Sequence, residues 1–66
     1  MRTFKVLIEN RRGILLSEAE VTARDAGRAH EIAARLLAED SAGYAAEIFE
    51  GRVALERLVR RAQPGA

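Results

Sequence analysis

Apolar and polar residues alternate from the start of the chain. In RTFKVLIE, Phe4, Val6 and Ile8 fall on one face and Thr3, Lys5, Leu7 and Glu9 on the other, the period-2 pattern of a strand rich in β-branched and aromatic residues. Because Leu7 makes Val6-Leu7-Ile8 continuously apolar, the pattern predicts a central rather than an edge strand. Asn10-Arg11-Arg12-Gly13 then reads as a hairpin turn, with asparagine bonding nearby backbone and glycine supplying a positive φ. In ILLSEAEVTA the odd positions Leu15, Ala19, Val21 and Ala23 form an apolar face, while Ile14 and Leu16 sit on the other. Their opposite phase predicts a bulge near Ser17.

The period changes at Asp25, whose carboxylate suits the free amides and positive dipole of a helix N-terminus. From there to about Glu39, Ala26, Ala29, Ala33, Leu36 and Leu37 share one helical stripe with Ile32 at its margin. Arg28, Glu31, Arg35 and Glu39 lie opposite, so one face is set to pack on a sheet. Asp40-Ser41-Ala42-Gly43 ends the helix, and alternation returns in Tyr44 to Glu50. Ala46 and Ile48 take one side there, and Ala45, Glu47 and Phe49 the other; this is a third strand.

After Glu50-Gly51-Arg52, VALERLV has two readings. As a strand it turns Val53, Leu55 and Val59 one way with Arg57 intruding; as a helix it aligns Ala54, Leu55, Leu58, Val59 and Ala62. The absence of a good N-cap and the need of strand three for a partner favour a strand. The expected fold is therefore α+β: ββαββ, a four-stranded antiparallel sheet of order 2-1-3-4 with one helix on one face. Residues 1–66 form a single domain, and 60–66 a frayed basic tail broken by Pro64.

With this layout, RTFKVLIEN, Gly13-Ile14, EVTARD opening the helix and AEIFEGR before the last strand resemble a group of small uncharacterised proteobacterial ββαββ proteins. The strand-cap-helix part of the pattern also occurs in ribosomal proteins of the archaeal LX class. This chain has Gly27 and Arg28 where the group more often has acidic residues, and Phe49 where it has tryptophan. The resemblance implies the fold and carries no activity.

Composition narrows the function classes. At 66 residues, a chain buries only about 60% of the surface exposed when unfolded, which makes a lone core marginal and self-association reasonable. Cysteine is absent, which removes a disulfide framework and thiolate ligands or nucleophiles. The net charge is +1, without the basic excess of a dedicated nucleic-acid binder. Ten of the 11 basic residues are arginine and alanine is abundant, a composition associated with GC-rich bacteria. Arg2 to Ile8, broken by Lys5, is too short and polar for a signal-peptide core or a membrane span, so a cytoplasmic location and no membrane partner are expected.

Candidate chemistry is sparse. His30 is the single histidine and reads as a partly buried packing or hydrogen-bonding residue. Ser17 and Ser41 lack a nucleophile-elbow setting, and no phosphate-cradling glycine loop exists. No catalytic, cofactor-binding or metal-ligating residue is assigned, and no cofactor is expected. If Phe4, Val6, Ile8, Ala46 and Ile48 face the helix, then Leu7, Leu16, Phe49 and Leu58 are left on the opposite face as a candidate oligomer interface. The expected function is a non-enzymatic interaction or accessory module acting as a homodimer, with a further protein partner open. The alternative is an RNA- or DNA-binding protein using Arg11 and Arg12 at the hairpin with Arg57, Arg60 and Arg61 toward the tail. A weaker third reading is a small-ligand binder with its pocket between helix and sheet.

Overall fold

The first alternating stretch forms strand β1 (Arg2–Glu9), with Phe4, Val6 and Ile8 buried. In the computed structural model, which describes residues 1–60, there follow β2 (Leu15–Ala23), α1 (Ala26–Glu39), β3 (Ala45–Glu50) and β4 (Val53–Val59). The strands make one antiparallel sheet in the order β2-β1-β3-β4. The architecture is thus α+β and ββαββ, as the pattern predicts, with β1 inside the sheet and β2 and β4 at its edges.

Local signals act where they stand in the chain. Asn10 Oδ1 accepts from the backbone N–H groups of Arg12 and Ile14 at 2.9 and 3.0 Å, and Gly13 takes φ +81°. Asp25 caps α1 by accepting from Arg28 N–H at 2.9 Å. Gly51, with φ +61°, turns β3 back into β4. A helix over Val53–Val59 would leave the outer backbone groups of β3 without partners, whereas a strand satisfies them.

Beneath α1 the core joins Phe4, Val6 and Ile8 to Val21 and Ala23 of β2 and to Ala46 and Ile48 of β3. Ala29 and Ala33 of the helix are fully buried and Leu37 nearly so. Alanine at those two positions brings the helix backbone close to the sheet, and close packing follows. No polar side chain is buried among the described residues.

Two bulges correct the sequence reading of faces. Opposite β1, Ile8 pairs with Ser17 but Glu9 with Leu15, so Leu16 is the extra residue. The phase change expected near Ser17 is there, and it takes Leu15 out of the buried face and sets it exposed across from Glu9. On β4, Ile48 pairs with Glu56 but Phe49 with Ala54, leaving Leu55 extra. Val53 and Val59 therefore do not share a face: Val53 lies across from Glu50, Val59 across from Ala45. Leu58 is a further correction. It pairs with Ala46 and packs against the core on the helix side rather than facing outward, because the bulge shifts the alternation of the strand by one residue.

Arg60 is held rather than frayed: its N–H donates to Tyr44 C=O at 2.7 Å. The remainder of the expected tail, with Arg61, lies outside the described residues.

Gly43 is buried between helix and sheet, where an added Cβ would meet Ile8 Cγ2 at 3.1 Å, Asp40 O at 3.2 Å and Leu37 Cδ1 at 3.2 Å. Gly43→Ala is expected to lower stability by roughly 1–3 kcal/mol through overpacking, and Asp25→Ala by about 1 kcal/mol through loss of the cap. Urea unfolding followed by circular dichroism checks both, and wild-type midpoints would overturn the packing and capping roles.

Candidate interaction surface

The sheet face away from α1 is built in rows set by strand register. Leu15, Glu9, Ala45 and Val59 make one row; Glu18, Leu7, Glu47 and Arg57 the next; Glu20, Lys5, Phe49 and Ala54 the third. Leu7 and Phe49 do face outward, as expected, but both are half-buried among charged neighbours. Lys5 pairs with Glu18 at 3.2 Å, and Arg57 pairs with Glu47 at 3.6 Å and with Glu9. Such exposed pairs add only about 0–1 kcal/mol each. Their effect here is to ring the two apolar groups with charge, so the outward face offers no broad apolar patch.

On the opposite face β4 is tied to the helix by polar contacts. His30 Nδ1 lies 2.8 Å from Glu56 Oε2 and 2.9 Å from Oε1. A carboxylate only accepts, so the imidazole carries its proton on Nδ1 in this contact. The hydrogen-bonding role expected of His30 is what the contact shows. Arg60 donates to the C-terminal carbonyls of Leu37 and Asp40, a favourable place for a cation on the helix dipole. At the far end Arg2 donates to Glu50 at 2.6 and 2.8 Å and lies 5.2 Å above the Phe4 ring.

The exposed apolar side chains concentrate on the edges. On β4, Val53 is 60% exposed, Leu55 41% and Val59 46%. An edge strand is normally guarded by charge that repels an incoming strand. The two charged residues of β4 are both engaged within the chain, Glu56 with His30 and Arg57 with Glu9 and Glu47. The β2 edge differs, because Glu18, Glu20 and Thr22 alternate along it with Ala19, Val21 and Ala23. Its apolar exposure is confined to the hairpin end, at Leu15 and Leu16 with Ile14 just before them.

The arginines proposed for nucleic acid are not brought together. Arg11 and Arg12 stand at the β1–β2 hairpin, with the Arg11 guanidinium 5.1 Å from the Tyr44 ring centroid. Arg57 is on the outward face and Arg60 on the helix face, each engaged as described. Arg61 lies outside the described residues. Of the interface residues, Leu7 and Phe49 share the outward face, Leu16 sits at the β2 bulge and Leu58 is on the helix side. Sequence reasoning missed Val53, Leu55 and Val59 as the exposed group, because the bulge at Leu55 and the pairing of Glu47 with Arg57 are set by register, which the strand alone does not record.

Among the described residues no group of three or more His, Asp or Glu side chains is placed to hold a metal ion, and no helix is long and apolar enough to cross a membrane. Fold and surface define the class as a small open-sheet α+β domain whose edge strand β4 carries exposed apolar side chains. No protein-family model, curated protein or solved structure matches the chain.

The Arg2–Glu50 contact makes stability depend on pH. The hydrogen bond from Arg2 holds the Glu50 carboxyl below its ordinary range, against a smaller opposing effect of burial. A carboxyl whose pKa is lowered by folding contributes stability that is present above its unfolded pKa and lost as pH falls through the lowered folded value. Glu50→Gln is therefore expected to unfold at lower urea than wild type at neutral pH, with the two midpoints converging in acid. A gap that stays constant with pH would overturn this assignment.

Proposed function

We propose that this chain is a non-enzymatic interaction module that works as a homodimer. The observation that carries the reading is β4, an edge strand with three exposed large apolar residues and both of its charges turned onto its own chain. The small core supports it: of the eleven buried apolar residues among those described, Ala23, Ala29, Ala33, Ala45 and Ala46 are alanines. At about 0.8 kcal/mol per buried CH₂, such a core gains little from each side chain, and burial between copies adds to it. The lack of cysteine and the engagement of the single histidine by Glu56 support a role in binding rather than chemistry. In this reading the protein belongs with the small proteobacterial ββαββ group that it resembles and works in the cytoplasm.

A second reading rests on the hairpin end, where Arg11 over Tyr44 beside Arg12 offers a cation and an aromatic face to a phosphate backbone or an unstacked base. It is weaker because Arg57 and Arg60 are committed to Glu9, Glu47 and the helix carbonyls.

Sedimentation equilibrium over a dilution series is expected to give twice the chain mass at micromolar concentration, falling toward the chain mass on dilution. The chain mass at every concentration would overturn the homodimer. If the hairpin binds nucleic acid, fluorescence anisotropy with a single-stranded RNA at low salt shows binding that weakens with added salt and with Arg11→Ala/Arg12→Ala. No binding at low salt removes that reading.

A further inference from the structure

We propose that the second copy adds to the sheet at β4 itself, the two β4 strands pairing antiparallel about a two-fold axis that passes beside Leu58. This rests on the homodimer reading and names its surface and register. The argument begins with one backbone hydrogen bond. Arg60 N–H donates to Tyr44 C=O, one step beyond the Ala45–Val59 pair of the β3–β4 register, so the N–H of Arg60 points at β3. In an antiparallel ladder successive residues point their N–H and C=O to opposite sides. Leu58 and Glu56 therefore also point at β3, while Val59 and Arg57 direct theirs to the open edge.

A two-fold axis relating antiparallel strands in one sheet stands perpendicular to it and keeps corresponding faces on the same side. Each residue then meets a partner residue of its own face, and the outward-pointing Arg57 and Val59 must make the hydrogen-bonded pairs. Centring on Arg57 would set it against the partner's Arg57, like charge on like. Centring on Val59 would set Leu58 against the partner's Arg60. Centring on Leu58 pairs Arg57 with the partner's Val59, and Val59 with the partner's Arg57, closing four ladder hydrogen bonds. The same register sets Glu56 across from the partner's Arg60 on the helix face, so no like charges are opposed, while each keeps its contact within its own chain.

Leu58 then meets its own copy in a non-hydrogen-bonded pair, where side chains approach most closely. Its partial exposure, despite its packing on the core, is the free flank that this contact covers. The helix leaves the way open. It packs on β1, β2 and β3 and reaches β4 through His30 and the helix carbonyls held by Arg60. The assembly is an eight-stranded antiparallel sheet with both helices on one side.

Val59→Pro tests the edge without touching the core, because the lost N–H points outward and proline is tolerated on that side of an edge strand. The variant is expected to keep the wild-type far-UV circular dichroism while its dimer dissociation constant rises roughly tenfold or more. A wild-type dimer that Val59→Pro leaves undiminished overturns the edge pairing and leaves the homodimer standing; a wild type that is monomeric throughout overturns both.

Register is read separately in this cysteine-free chain. Leu58→Cys is expected to cross-link to itself on mild oxidation, since the close pair has a Cα separation within disulfide range. Arg57→Cys and Val59→Cys should cross-link with each other in a mixture, and more slowly each alone. Faster self-linking of Arg57→Cys or Val59→Cys than mixed linking would overturn the Leu58-centred register.

Discussion

Everything in this fold depends on the burial of one face of β1 beneath a helix stripe of small side chains. Phe4, Val6 and Ile8 occupy the middle of the sheet, and Ala29 and Ala33 set the helix directly against it. A helix is about 10 Å across and strands lie about 4.8 Å apart, so one helix covers roughly three strands. Here they are β1, β2 and β3. The fourth strand is left with half a cover: Leu58 packs on the core, and the polar links from His30 and Arg60 join the strand to the helix beside it.

The surface follows from the same shortage. On the outward face the strand register gathers Lys5, Glu9, Glu18, Glu47 and Arg57 around Leu7 and Phe49, and the apolar pair is enclosed by charge from its own chain. On β4 the charges turn inward to partners in the same chain, and the apolar side chains remain exposed. An edge that spends its charges internally no longer repels a second strand. The role we propose is therefore one of assembly, and the hairpin arginines are the separate feature on which the nucleic-acid reading rests.

Much of the fold was legible because its signals are local. Asn10 bonding its own turn, Gly13 at positive φ, Asp25 capping α1 and the alternation in β1 and β3 each act within a few residues of themselves. The candidate surface was less legible. The outward placement of Leu7 and Phe49 could be read from alternation, but that of Leu58 could not, because the extra residue at Leu55 reverses the phase of β4. A bulge is decided by how two strands fit across a ladder, which neither strand records alone.

The sequence by itself determined the first four elements and their order, the cap, the turns and most of the residues that line the core, since each follows from short-range backbone preference and the period of apolar positions. It also determined that the chain has no cysteine and a single histidine, which is a matter of residue types. Only the tertiary structure decided that VALERLV is a strand, that Leu58 belongs to the helix side and that Arg57 and Arg60 are engaged. It alone placed the exposed apolar residues on β4. The physical reason is that these outcomes depend on pairing between residues far apart in the chain: β3 needs a partner for its backbone, Glu9 and Glu47 meet Arg57 only through register, and a helix too narrow for four strands leaves the last one open.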